Sequence, residues 1–261
     1  MVPLKDNNPT RSFPFVTIAL IIVNVLVYIK QVSVGPVFDA IYSLIPREVT
    51  TGQDLSGVVT VSHGVTYFDP GISSSPLTDN QILILPPPHP SWLTIFSAMF
   101  MHAGLLHIGG NMLVLWIFGD NVEDALGKLR YLFFYLVCGV GAAIAQISIA
   151  PNSLIPTLGA SGAIAGVMAA YLILYPRARV MSLIFLGIIG FFREISAFWV
   201  IAIWIVLQII PGVSSLDTTS AGGVAYFAHI GGFATGLVLI LLFGGSRLAT
   251  QRRSPRYNIR Y

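Results

Sequence analysis

The chain has 261 residues, of which 55% are hydrophobic and only 10% charged, and its mean hydropathy is +0.79. A soluble globular domain carries about 25% charged residues, so composition excludes that class and places the chain among polytopic membrane proteins. The net charge of +3 speaks of membrane orientation rather than of nucleic-acid binding, and one cysteine, Cys138, excludes an internal disulfide.

Residues 1–12 are polar and carry Lys5 and Arg11. Phe13 to Ile29 is apolar and just long enough to span a bilayer. It offers no small-x-small cleavage site, so it reads as an uncleaved first helix rather than a signal peptide. Residues 31–91 form a long mixed loop. Within it Phe38, Ile41, Tyr42, Leu44 and Ile45 are spaced as in a short interfacial helix. The segment 51–80, rich in Gly, Ser, Thr and Asp, reads as irregular or as a small hairpin. A second span is expected over 93–119, entered through His102, His107 and Asn111, with a charged loop over 120–130. Residues 131–176 are uncharged and long enough for two helices, divided by Pro151, Asn152 and Pro156 into spans near 131–149 and 160–175. The apolar run 180–192 is too short to cross and reads as an interfacial or re-entrant piece. A fifth span at 195–210, a Gly/Ser/Thr loop at 211–223 and a sixth span at 224–243 follow. The tail 244–261 is basic.

The expected architecture is therefore all-α. A cytoplasmic N-terminus (1–12) precedes a six-helix domain (13–243) with a long first outer loop, and a basic cytoplasmic tail (244–261) closes the chain. With both termini inside, twelve of the Lys and Arg residues lie inside and two, Lys30 and Arg47, outside, as the positive-inside rule asks.

Two polar residues then stand out. Ser161 precedes Arg177 by 16 residues, which places it about 24 Å above the inner interface at about 1.5 Å per residue. His229 precedes Gly244 by 15 residues, which gives about 22 Å by the same rise. Their helices carry small-residue faces, Gly162-x3-Gly166 and Gly232-x3-Gly236, of the kind that lets backbones approach closely in lipid. Packed together, these faces would set serine beside histidine. A neutral imidazole can take a serine proton and later deliver it to a leaving amine. No intramembrane Asp or Glu is placed to orient that imidazole, since Asp217 lies in an outer loop, so the expected unit is a dyad. Acyl transfer also needs donors for the developing oxyanion. Ser161 offers its own N–H at a helix start, and His107 and Asn111, spaced i, i+4, share one helix face. For the glycines and for His107 and Asn111, plain helix packing and interhelical hydrogen bonding stand as the alternative reading.

These residues resemble the rhomboid family of intramembrane serine proteases. The likeness rests on His102-x4-His107-x3-Asn111, on Gly159-Ala160-Ser161-Gly162 and on Ala228-His229-Ile230-Gly231-Gly232 with Gly236. Glu123-x3-Gly127 with Arg130 adds to it, and the likeness runs from about Trp92 to Phe243. The resemblance implies Ser161 as nucleophile, His229 as base, and His107 and Asn111 as oxyanion donors. It implies cleavage of other proteins' transmembrane segments in the lipid bilayer, near the outer face, without metal or cofactor. It also implies that the fifth span and the 211–223 loop gate the site. The chain departs from the family pattern twice: Trp92 is followed by Leu93 where an arginine is frequent, and Ala165 stands where an aromatic residue often stacks on the histidine. A catalytically inactive rhomboid-like protein that binds membrane clients is the alternative; a small transporter would call for internal repeats and intramembrane charges, which the sequence lacks.

Overall fold

A computed structural model describes residues 1–62, 65–71, 77–186, 189–214, 225–245 and 248. Its helices are α1 (Phe15–Val34), α2 (Pro36–Tyr42), α3 (Pro46–Thr51), α4 (Thr94–Ala98), α5 (Leu105–Leu126), α6 (Lys128–Ile149), α7 (Ser161–Leu174), α8 (Ala197–Ser214) and α9 (Tyr226–Leu242). By length and composition α1, α6 and α8 can each cross a membrane, and α7 and α9 are shorter apolar helices. The core is built around α7, where eleven of fourteen residues are buried. It packs against α5, α6, α8 and α9, with Leu115, Phe118, Tyr131, Phe134, Cys138, Val167 and Tyr171 in the same buried cluster.

The protein is mostly helical but not all-α. The apolar run 180–192, expected to be interfacial or re-entrant, is an antiparallel hairpin of β5 (Arg179–Leu186) and β6 (Ile189–Ser196). The polar N-terminus supplies β1 (Val2–Asp6), which pairs with β5 to give a three-stranded sheet in the order β1-β5-β6. Strand pairing across such a sequence distance leaves no local signature, because a strand is defined as much by what it packs beside as by its own residues. Tyr171 Oη donates to Asp6 Oδ2 at 2.5 Å and Asn121 Nδ2 donates to the same oxygen at 3.1 Å, which ties this sheet to α7 and α5. In the first loop, β2 (Gly57–Ser62), β3 (Val65–Asp69) and β4 (Gln81–Ile84) form a second sheet in the order β3-β2-β4. The helix expected through Ile45 stops at Tyr42; Leu44 instead bridges to Thr157, and both Leu44 and Ile45 are buried.

The second helix is also shifted from its expected place. Residues 91–98 form a 3₁₀ turn and α4, and α5 begins only at Leu105. Ser97 Oγ donates to the Tyr42 carbonyl at 2.7 Å, so this uncharged stretch belongs to the long first loop rather than to the span. At its other end α5 continues through Asp120, Glu123 and Asp124 to Leu126. The reason is Glu123. Its carboxylate is 1% exposed and accepts from Val16 N–H (3.0 Å), Thr17 N–H (2.8 Å) and Thr17 Oγ1 (2.8 Å). It thereby satisfies donors that the start of α1 would otherwise leave open. Gly127, at φ 80°, then turns the chain directly into α6. Little of the charged loop expected over 120–130 remains.

Candidate active site

Ser161 is the first residue of α7 and His229 lies in the first turn of α9. Glycine brings these helices together. A β-carbon on Gly232 would fall onto the Gly162 carbonyl oxygen, and one on Gly236 onto the Gly166 backbone. On the neighbouring side α6 closes in as tightly: β-carbons on Gly162, Gly166 and Gly231 would strike Ala142, Cys138 and Ala145. Three helices thus meet at near-backbone distance, as small residues permit in lipid. Ser161 stands one residue before Gly162 and His229 three before Gly232, so this contact carries them into register.

Ser161 Oγ and His229 Nε2 are 2.7 Å apart. On the other side of the ring, His229 Nδ1 lies 2.7 Å from Gln208 Oε1. Gln208 comes from α8, and its amide is oriented by Nε2 donating to the Trp204 carbonyl at 3.5 Å. An amide oxygen can only accept. Nδ1 therefore carries the ring proton, and Nε2 offers its lone pair to the serine hydroxyl, which donates. Trp204 also packs against the imidazole, with ring centroids 5.6 Å apart and planes inclined by 41°. His229 is 9% exposed.

Gly159 sets the approach to Ser161. Its φ of 133° lies in the region that favours glycine, and its N–H donates to the Ala98 carbonyl at 2.8 Å. A β-carbon there would stand 3.0 Å from His107 Cε1, 3.1 Å from His107 Nε2 and 3.5 Å from Ser161 Oγ. His107 and Ser161 thus border one small space. His107 Nδ1 accepts from the Ala103 N–H at 3.3 Å, so the proton sits on Nε2, the nitrogen turned toward that space. One turn along α5, Asn111 is 9% exposed and its Nδ2 is buried without a hydrogen-bond partner. His102 is buried differently. Its backbone N–H donates to Gln31 Oε1 (3.0 Å) and its carbonyl accepts from Gln31 Nε2 (2.8 Å), while its ring packs edge-on to His107.

Sequence reasoning missed Gln208 and Trp204. The available signal was Gln208 itself, the lone amide of an uncharged span, because a polar side chain inside a membrane needs a partner. Tyr226 and Phe227, near His229 in sequence, lie instead against Gly212 of α8. Asp217 lies outside the described residues. Among the described residues no group of three or more His, Cys, Asp or Glu is placed to hold a metal ion.

Fold and site together define a membrane-embedded helical protein that presents a serine hydroxyl to an oriented imidazole, the pairing found in serine hydrolases. The family model for the rhomboid domain matches residues 89–246, and the chain belongs to the rhomboid family. It is 31% identical over 153 residues to the rhomboid protease GluP of Bacillus subtilis, a match covering 59% of this chain and 26% of that protein. To the mitochondrial RHOMBOID-like protein 6 of Arabidopsis thaliana it is 30% identical over 176 residues, covering 64% of this chain and 49% of that one. To rhomboid-type serine protease 2 of Emericella nidulans it is 28% identical over 185 residues, covering 65% and 32%. The matched region thus spans between a quarter and a half of these relatives' lengths. The family is one of integral membrane proteins and includes named serine proteases.

Proposed function

We propose that this chain is an active intramembrane serine endopeptidase that hydrolyses peptide bonds in or beside the transmembrane segments of other proteins. The observation that carries the proposal is the 2.7 Å contact between Ser161 Oγ and His229 Nε2, with the ring proton held on the far nitrogen. Ser161 attacks the scissile carbonyl as its proton passes to Nε2. The developing oxyanion meets the Ser161 N–H at the start of α7, the unpartnered Asn111 Nδ2 and the His107 Nε2–H. The imidazolium returns its proton to the leaving amine, which departs and leaves an acyl-serine. Water, deprotonated by the same imidazole, then hydrolyses the ester and restores Ser161.

In this reading the protein has six spans and both termini are cytoplasmic, the membrane being the plasma membrane. Ser161 and His229 then open toward the outer leaflet. A backbone carbonyl at that depth is reached only where the substrate helix unwinds, because a helix keeps its own amides paired. Incubation of the purified protein with a panel of single-span membrane proteins tests the proposal. Wild type is expected to release fragments that Ser161→Ala does not. Equal fragments from both would remove Ser161 from the chemistry. No fragments from any substrate would favour an inactive, client-binding member of the family.

A further inference from the structure

We infer that Gln208 is the positioning residue of the His229 base, and that α8 makes the site competent by carrying it there. This deepens the proposed function and rests on it. Three observations converge. Gln208 Oε1 accepts a hydrogen bond from the His229 Nδ1–H at 2.7 Å. The Gln208 amide is held in that sense by the Trp204 carbonyl. Trp204, one turn away on the same helix, packs against the imidazole at a tilt. The ring therefore has its tautomer fixed from one side and its plane from another, and both constraints come from α8. The position four residues after the serine, Ala165, is fully buried and brings no ring to the imidazole.

The consequence is chemical. Without an acceptor at Nδ1, a neutral imidazole is free to carry its proton on Nε2 instead. In that form it donates to Ser161 rather than accepting from it and cannot serve as the base. Holding the Nδ1–H form is what a triad carboxylate does elsewhere; here a neutral amide does it, with no charge brought into the membrane. The helix that supplies it is only lightly held by the bundle. Of the eighteen residues of α8 only Ala197, Val200, Ile201 and Gly212 are buried, and Trp199, Ile203, Val206, Leu207 and Ile210 face outward. Displacing α8 removes Gln208 and Trp204 from the ring together, so the base is armed only while α8 is seated.

The test compares wild type, Gln208→Leu and Gln208→Glu, purified in detergent, by the rate at which a fluorophosphonate probe labels Ser161. Gln208→Leu has no acceptor and suits an apolar helix. It is expected to lower the first-order labelling rate by about 100-fold, the low end of what a positioned base contributes, with little change in the probe concentration that half-saturates the protein. Gln208→Glu restores an acceptor and is expected to label within about tenfold of wild type on the same scale. Nitrogen-15 spectra of the histidine rings give a readout independent of activity. Wild-type His229 is expected as the Nδ1–H tautomer, and Gln208→Leu as a mixture. A Gln208→Leu protein that labels as fast as wild type, or one whose His229 keeps the Nδ1–H tautomer, would overturn the assignment of Gln208 and leave the proposed function standing. Folded wild type that never labels would overturn the proposed function, and this inference with it.

Discussion

His229 is held by two neighbours in two different ways. Toward α7 the contact is made by backbone: Gly232 meets the Gly162 carbonyl and Gly236 meets Gly166, with no side chain between them. Toward α8 it is made by side chains, one amide and one indole. A glycine contact has no rotamers to lose and no slack to take up, so it fixes distance. A side-chain contact on an exposed helix fixes orientation and can be released. The first kind of contact suits the gap between serine and imidazole, which must not vary. The second suits the direction of the ring proton, which an amide on a neighbouring helix can set.

The site is disrupted most severely at glycine. Gly232→Val would drive a branched side chain into the Gly162 carbonyl, and overpacking of this kind costs about 3 kcal/mol or more when backbone must move. Thermal melts in detergent are expected to show a large loss of stability with activity gone; an unchanged melting temperature would show that the helices do not meet there. Glu123→Ala serves as a control far from both contacts. It strips three hydrogen bonds from the start of α1 and is expected to cost about 2 kcal/mol without changing the tautomer of His229. Trp204→Leu acts on the releasable side. It is expected to cost about 1 kcal/mol or less in stability yet to slow Ser161 labelling several-fold, so that stability and activity separate where Gly232→Val loses both.

The smallest effect is one of pH, at the C-terminal end of α7. Burial raises the pKa of the Asp6 carboxyl above its ordinary 3.8, against the hydrogen bond from Tyr171 that lowers it. The folded state thus favours the protonated form. That contribution to stability is complete below about pH 3.8 and is lost as pH rises through the folded-state pKa. Relative to Asp6→Asn, which cannot ionise, wild type is expected to gain melting temperature as the pH is lowered from 7 toward 4. A difference between the two that stays constant over this range would contradict the assignment.

What the sequence made legible follows from what leaves a local trace. Ser161, His229 and the glycines at i and i+4 could be read because helical periodicity turns spacing into a face, and the structure brings those faces together. The start of α5 was misplaced because absence of charge marks apolar surroundings, not helix, and Ser97 spends its hydroxyl on the Tyr42 carbonyl of the first loop. Its end was misplaced because Glu123 looked like a loop residue until its three partners on α1 were known. The β1-β5-β6 sheet was invisible because residues 2–6 and 179–186 complete each other across the whole helical core. Gln208 was missed for a related reason. A single amide in an apolar span declares that it has a partner but not which one, and only the packing of α8 on α9 names His229.

Ser161 and His229, 2.7 Å apart, are expected to be a reactive pair. The most direct measurement is covalent labelling by a fluorophosphonate of purified wild type, Ser161→Ala and His229→Ala, each shown to be folded by its thermal melt. Label is expected on wild type alone, mapped by mass spectrometry to Ser161. Folded wild type that takes no label, or a Ser161→Ala protein that labels equally, would contradict it.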